Sequence, residues 1–132
     1  MKKLLIAAIL AVSATCHQQE VIKAESSVQE INARVVGDQL PVDGCGAHLL
    51  LDLANASASS STYMRLPTEA TRALMENTIK AEIAKQPTGT LWMGSKNVTI
   101  RYRETEQNAT LTCGWGKKEE VRVIELLDIK AR

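Results

Sequence analysis

Three cysteines and two histidines are the residues of this chain whose chemistry reaches beyond packing: Cys16, Cys45 and Cys113, with His17 and His48. Cys45-Gly46-Ala47-His48 brings a thiol and an imidazole close together, and Cys113 adds a second thiol. Those three groups could supply soft ligands to a tetrahedral zinc ion, leaving its fourth position open. Such sites ordinarily carry a second close ligand pair of the Cys-x-x-Cys kind, which this chain lacks, so no metal is expected. A Cys45 nucleophile with His48 as its base is a further reading. Along one strand their odd offset sends the two side chains to opposite faces, which argues against it. The sequence has no G-x-S-x-G elbow, P-loop, H-E-x-x-H or dinucleotide fingerprint. Glu104 with Glu106, and Glu119 with Glu120, resemble the carboxylate pairs of glycoside chemistry only in spacing, and read better as solvated turn residues. No catalytic residue and no cofactor are expected.

A structural role suits the same cysteines better. Cys45 sits within Asp43-Gly44-Cys45-Gly46 and Cys113 opens Cys113-Gly114-Trp115-Gly116, glycine settings that permit tight turns and close backbone approach. A Cys45–Cys113 bridge would staple the start of the second strand to the approach of the last, with Trp115 packed nearby. Closing so long a loop is worth about 4 kcal/mol in the chain-entropy model.

The amino-terminal segment bears on that pairing. Met1-Lys2-Lys3 is a short positive stretch, Leu4 to Val12 is an unbroken apolar run, and Ser13-Ala14-Thr15 leads to Cys16. The run is too short to span a bilayer and has the length of a signal-peptide core. Cys16 in this setting resembles the lipobox of bacterial lipoproteins. The resemblance implies diacylglycerol on the Cys16 thiol, cleavage before it, and acylation of the new amino group, as with palmitate. The pattern departs from the usual one at Ser13 and Thr15, where Leu and a smaller residue are customary. Ordinary cleavage after Ala14, giving a soluble periplasmic or secreted chain, is the alternative. An odd cysteine in an exported protein needs an explanation, and a lipidated Cys16 leaves Cys45 and Cys113 to pair in an oxidising compartment. His17, rather than Asp, follows Cys16, which by the same resemblance implies sorting to the outer membrane.

Bulk properties limit the rest. The chain has 132 residues, with Lys+Arg 16 against Asp+Glu 15, 45% hydrophobic residues and 3% aromatic residues, none of them Phe. That fits one small domain, excludes a disordered chain, and gives no basic excess for nucleic acid. The expected division is a signal peptide over 1–15, a polar tether over 16–27, and a single globular domain over 28–132.

The elements that must position these residues are read from periodicity. Val28 to Val36 alternates as a strand, and Ala47 to Leu53 is a second strand candidate. Asn55 to Thr62 is a small-residue loop, and Tyr63 to Leu66 a short third strand ended by Pro67. Thr68 to Gln86 is rich in helix formers, with an apolar stripe of Leu74, Met75, Ile79 and Ile83 and Thr68 as N-cap. Strand alternation returns at Val98 to Arg103, at Ala109 to Cys113, and at Val121 to Ile129, the last apolar on both faces as in a central or bulged strand. The order β-β-β-α-β-β predicts a mainly β fold with one helix, a small OB-fold-like barrel; an α+β sheet with one packed helix is the alternative.

On such a barrel Trp92, Trp115, Arg101 and Arg103 are the candidate ligand surface, for a glycan or a peptide. The pair Asp43–Gly46 and Cys113–Gly116, followed by Val121 to Ile129, resembles a group of small bacterial envelope lipoproteins of unassigned function. The resemblance covers the second strand and the last third of the chain and brings no catalytic residues. The expected protein is a lipid-anchored envelope module that binds or scaffolds without chemistry of its own. Its partners are the membrane, through the anchor, and an envelope protein or glycan.

Overall fold

Alternation sets the first strand. In the computed structural model, which describes residues 26–52 and 61–132, β1 (Gln29–Val36) turns Ala33 and Val35 inward and leaves Arg34 and Val36 on its other face. β2 (His48–Leu51) is buried at every position. Leu49 and Leu51 face the same interior as Val35, while His48 and Leu50 lie on the opposite face. A 3-10 turn at Ser61–Tyr63 leads into β3 (Met64–Pro67), which Pro67 ends. Most of the expected small-residue loop, its residues 55–60, lies outside the described residues.

α1 (Arg72–Ile83) is shorter than its composition suggests. A 3-10 turn at Glu69–Thr71 precedes it, so Thr68 stands before that turn instead of capping the helix. The Thr68 hydroxyl meets the Thr71 hydroxyl at 2.8 Å, and Thr71 Oγ1 accepts the Leu126 N–H at 3.1 Å, which ties the helix entry to the last strand. Met75 is buried and Ile79 packs beside it, but Leu74 and Ile83 are exposed. The helix seals the barrel through its first two turns only, which is why half of the expected stripe faces solvent.

Two long strands complete the sheet. β4 (Ser95–Thr112) is one strand of 18 residues where alternation suggests two separate ones. The polar run from Glu104 to Asn108 breaks the alternation without breaking the strand: register shifts there and at Arg101/Tyr102 bend β4 while pairing with β5 (Lys118–Ala131) resumes beyond them. At the bend, Arg65 of β3 lies 3.6 Å from the Glu104 carboxylate.

The strand order is β1-β2-β3-β5-β4, closing back on β1, antiparallel throughout except for the parallel pair β3–β5. This is a closed five-stranded, OB-fold-like barrel, and closure replaces the open-sheet alternative. Its interior is filled by Val35, Leu49, Val98, Ile100, Ile124 and Leu126, with Met75 from the helix. A second apolar cluster lies on the other face of the sheet. There the curled β4–β5 hairpin lays Leu111, Cys113 and Val121 against Val36, Leu50 and Met64. β5 therefore serves two cores, which accounts for its apolar residues on both faces.

Candidate functional site

On the face of β1 and β2 turned away from the barrel interior, Arg34 lies opposite Leu50 and Val36 opposite His48. With Met64 of β3, these residues floor a groove of about 450 Å³. One wall is the β1–β2 loop, through Gln39, Asp43 and Cys45; the other is the turn between β4 and β5, through Cys113, Trp115 and Lys117.

The two walls are joined. Cys45 and Cys113 form a disulfide across a sequence separation of 68 residues. Around it the Gly46 N–H donates to the Thr112 carbonyl and the Gly114 N–H to the Gly44 carbonyl, each at 2.9 Å. The expected bridge is present and joins the strand ends expected of it.

Trp115 does not pack beside the bridge. It is 94% exposed at the groove rim. The Cys113 N–H donates to the Lys117 carbonyl at 2.8 Å and the Lys117 N–H to the Gly114 carbonyl at 3.2 Å, closing a tight turn that projects its central side chain outward. Trp115 holds φ at 59°, in the left-handed region. For a bulky residue that conformation costs about 1–3 kcal/mol, and it persists only where the surroundings fix it, here the disulfide and the paired turn.

His48 is 3% exposed and lines the groove. Its Nδ1 lies 2.7 Å from the Gly46 carbonyl oxygen, which can only accept, so Nδ1 carries the proton. Burial lowers the imidazole's pKa below its ordinary value, with the Gly46 bond opposing more weakly, so the ring is neutral at pH 7. Nε2 is then an acceptor, and among the described residues it makes no hydrogen bond. The odd-offset argument fails because β2 begins at His48 and Cys45 belongs to the preceding loop; both residues line one groove. The Cys45 sulfur is nonetheless committed to the disulfide, which leaves neither a thiolate nucleophile nor a thiolate ligand. Among the described residues no group of three or more His, Cys, Asp and Glu side chains is placed to hold a metal ion.

The candidate ligand surface is not assembled. Of Trp92, Trp115, Arg101 and Arg103, only Trp115 lines the groove. Trp92 packs its ring against Gly37 and Gly94 in the segment before β4. Arg101 lies 3.9 Å from the Glu30 carboxylate, and Arg103 bonds Glu125 at 3.2 Å, both on the barrel's solvent face. The carboxylate pairs separate as well: Glu104 faces Arg65, Glu119 bonds Lys117 at 2.5 Å, and Glu120 accepts from Asn108 at 2.9 Å. The groove floor of Arg34, Leu50 and Met64 was not legible as a site. Its one signal is that Leu50 and His48 occupy the face of β2 where alternation calls for solvated residues.

A second hollow of about 450 Å³ lies between α1 and the ends of β4 and β5. Its charged lining is Lys85, Glu82 and Lys96, in which the Glu82 carboxylate pairs with both lysines.

Cys16 and the leader lie outside the described residues, as does all of the tether but its last two residues. Among the described residues no helix is long and apolar enough to cross a membrane. No protein-family model matches the chain, and comparison with curated proteins and with solved structures finds no match. What fold and groove define is a class: an OB-fold-like barrel whose outer face is walled by two disulfide-linked loops.

Proposed function

We propose that this chain is a lipid-anchored binding module of the bacterial cell envelope, with no chemistry of its own, whose ligand lies in the groove across β1, β2 and β3. The observation that carries the reading is Trp115 standing 94% exposed at the rim of a groove floored by Leu50 and Met64. Residues held in strained backbone conformations cluster at ligand and active sites, and Trp115 is one of them. The strand-2 and strand-3 face, flanked by the loops after strands 1 and 4, is also where OB-fold barrels take ligands. The Cys45–Cys113 disulfide supports an oxidising compartment. The leader and Cys16 support export and anchoring, with the outer membrane favoured by His17.

Scaffolding on a protein partner is the second reading. Val42 and Leu91, 59% and 64% exposed, favour it as apolar contacts outside the groove.

Two measurements test the proposal. Intact mass of protein taken from the membrane fraction should show acylated Cys16, and thiol alkylation only after reduction; a chain beginning after Ala14 overturns the anchor. Trp115→Ala should leave thermal stability unchanged and abolish retention of the envelope ligand on the immobilised protein. Equal retention by both forms overturns the groove and favours scaffolding.

A further inference from the structure

We infer that the groove takes an uncharged carbohydrate chain, with Trp115 packed on a sugar face and His48 Nε2 accepting a hydrogen bond from a sugar hydroxyl. This rests on the groove being the binding site and adds the class of its ligand.

Charge balance narrows the class first. The ionisable side chains lining the groove besides His48 are Arg34 and Lys117, which are cationic, and Asp43 and Glu119, which are anionic. Lys117 and Glu119 already bond each other at 2.5 Å. The lining is therefore balanced in charge, and a polyanion would meet carboxylates as well as cations. Single-stranded nucleic acid calls for a positive groove, which is absent here among the described residues.

Topology then disfavours an extended peptide. Peptides commonly bind sheets by adding a strand to an unpaired edge. The three strands that floor the groove are each paired on both sides, β1 with β2 and β4, β2 with β1 and β3, and β3 with β2 and β5, so the groove floor offers no edge of that kind.

The remaining groups suit a polyol. The His48 ring is fixed by its Nδ1 bond to the Gly46 carbonyl and cannot turn that nitrogen outward without breaking it. The groove thus meets a ligand with an acceptor at His48, a guanidinium donor at Arg34, and a broad apolar ring at Trp115. A sugar presents hydroxyl donors and acceptors on its edges and C–H groups on its faces. A polar site built this way rejects a ligand that cannot return its hydrogen bonds, because His48 would be left buried and unpaired.

The experiment uses the full chain, oxidised, carrying Trp92→Phe so that emission reports Trp115 alone. The probes are cellotetraose and chitotetraose, the O-methylated form of each, a tetragalacturonate, and an uncharged extended peptide. At least one neutral tetrasaccharide should shift Trp115 emission saturably. Its O-methylated form, which has no hydroxyl donors, and the acidic sugar should bind at least tenfold more weakly. His48→Leu should lose the preference for free over methylated hydroxyls while retaining its thermal midpoint; retention of that preference removes the role of His48. Saturable binding of the peptide with no response to either neutral sugar overturns the ligand class and leaves the groove standing. Absence of any Trp115 response to every one of these probes at millimolar concentration overturns both the ligand class and the groove.

Discussion

Gly114 lies directly against Asp43: a Cβ at position 114 would meet the Asp43 Cα at 2.5 Å and its carbonyl atoms at 2.6 Å. The contact is with backbone, which cannot give way as a flexible side chain would. Gly114→Ala should therefore destabilise the fold by roughly 1–3 kcal/mol, the range for forced overpacking. Gly116, at φ +71° with nothing within 4 Å of its Cβ position, should lose only the conformational cost of a left-handed residue, about 1–2 kcal/mol. Urea midpoints of the two variants measure the difference, and Gly114→Ala should also perturb the Trp115 spectrum.

The disulfide should dominate the stability of the hairpin tip. Removing a bridge with a sequence separation of 68 residues releases unfolded-state entropy worth about 4 kcal/mol in the chain-entropy model. That is a large share of the 5–15 kcal/mol typical of a small domain. The double substitution of Cys45 and Cys113 to Ala should lower the thermal midpoint by well over 10 °C, on a slope of about 4–8 °C per kcal/mol. Scanning calorimetry of the oxidised, reduced and substituted forms checks it.

His48 gives the stability a defined pH dependence. Its pKa in the folded chain lies below the ordinary value of about 6.5, because burial disfavours the imidazolium. Between those two values the unfolded chain binds more protons than the folded one, so acid favours unfolding. The contribution of His48 is complete above pH ~6.5 and is lost as pH falls towards the folded-state pKa. Urea midpoints taken across this range should fall with acid for the native chain and stay flatter for His48→Leu.

Helix docking should depend on one side chain far more than on another of similar size. Met75 is buried in the barrel core cluster that includes Val98 and Leu126, whereas Ile83 is 41% exposed. Met75→Ala should cost about 2–4 kcal/mol and Ile83→Ala less than about 1 kcal/mol. Equal losses would mean that the second half of α1 also packs on the barrel.

Alternation and punctuation carry most of the topology. Ala33 and Val35 against Arg34 place β1, Pro67 ends β3, and the change of period after it places α1. The strand count after the helix is less legible, since Glu104 to Asn108 has the composition of a loop and only long-range pairing with β5 makes it a bend. Trp115 misleads for a related reason. Composition favours burying a tryptophan near a disulfide, but the turn hydrogen bonds between Cys113 and Lys117 decide its direction. The groove floor escapes altogether, because Arg34, Leu50 and Met64 come from three strands and have no shared spacing. Arg101 and Arg103 share a strand face as expected, yet each is matched to a carboxylate on a neighbouring strand instead of to a ligand.

The entry of the chain into the barrel sets how an anchored molecule would stand. The Ser26 hydroxyl donates to the Glu104 carbonyl at 2.8 Å, and β1 then runs from Gln29 to Val36, where the groove begins. At about 3.3 Å per residue, the tether joins the domain roughly 20 Å from the binding face. The groove thus lies at the end of β1 away from the point where the chain enters, like a hand at the end of an arm. Whatever holds the chain on its amino-terminal side leaves that hand free to close on a ligand.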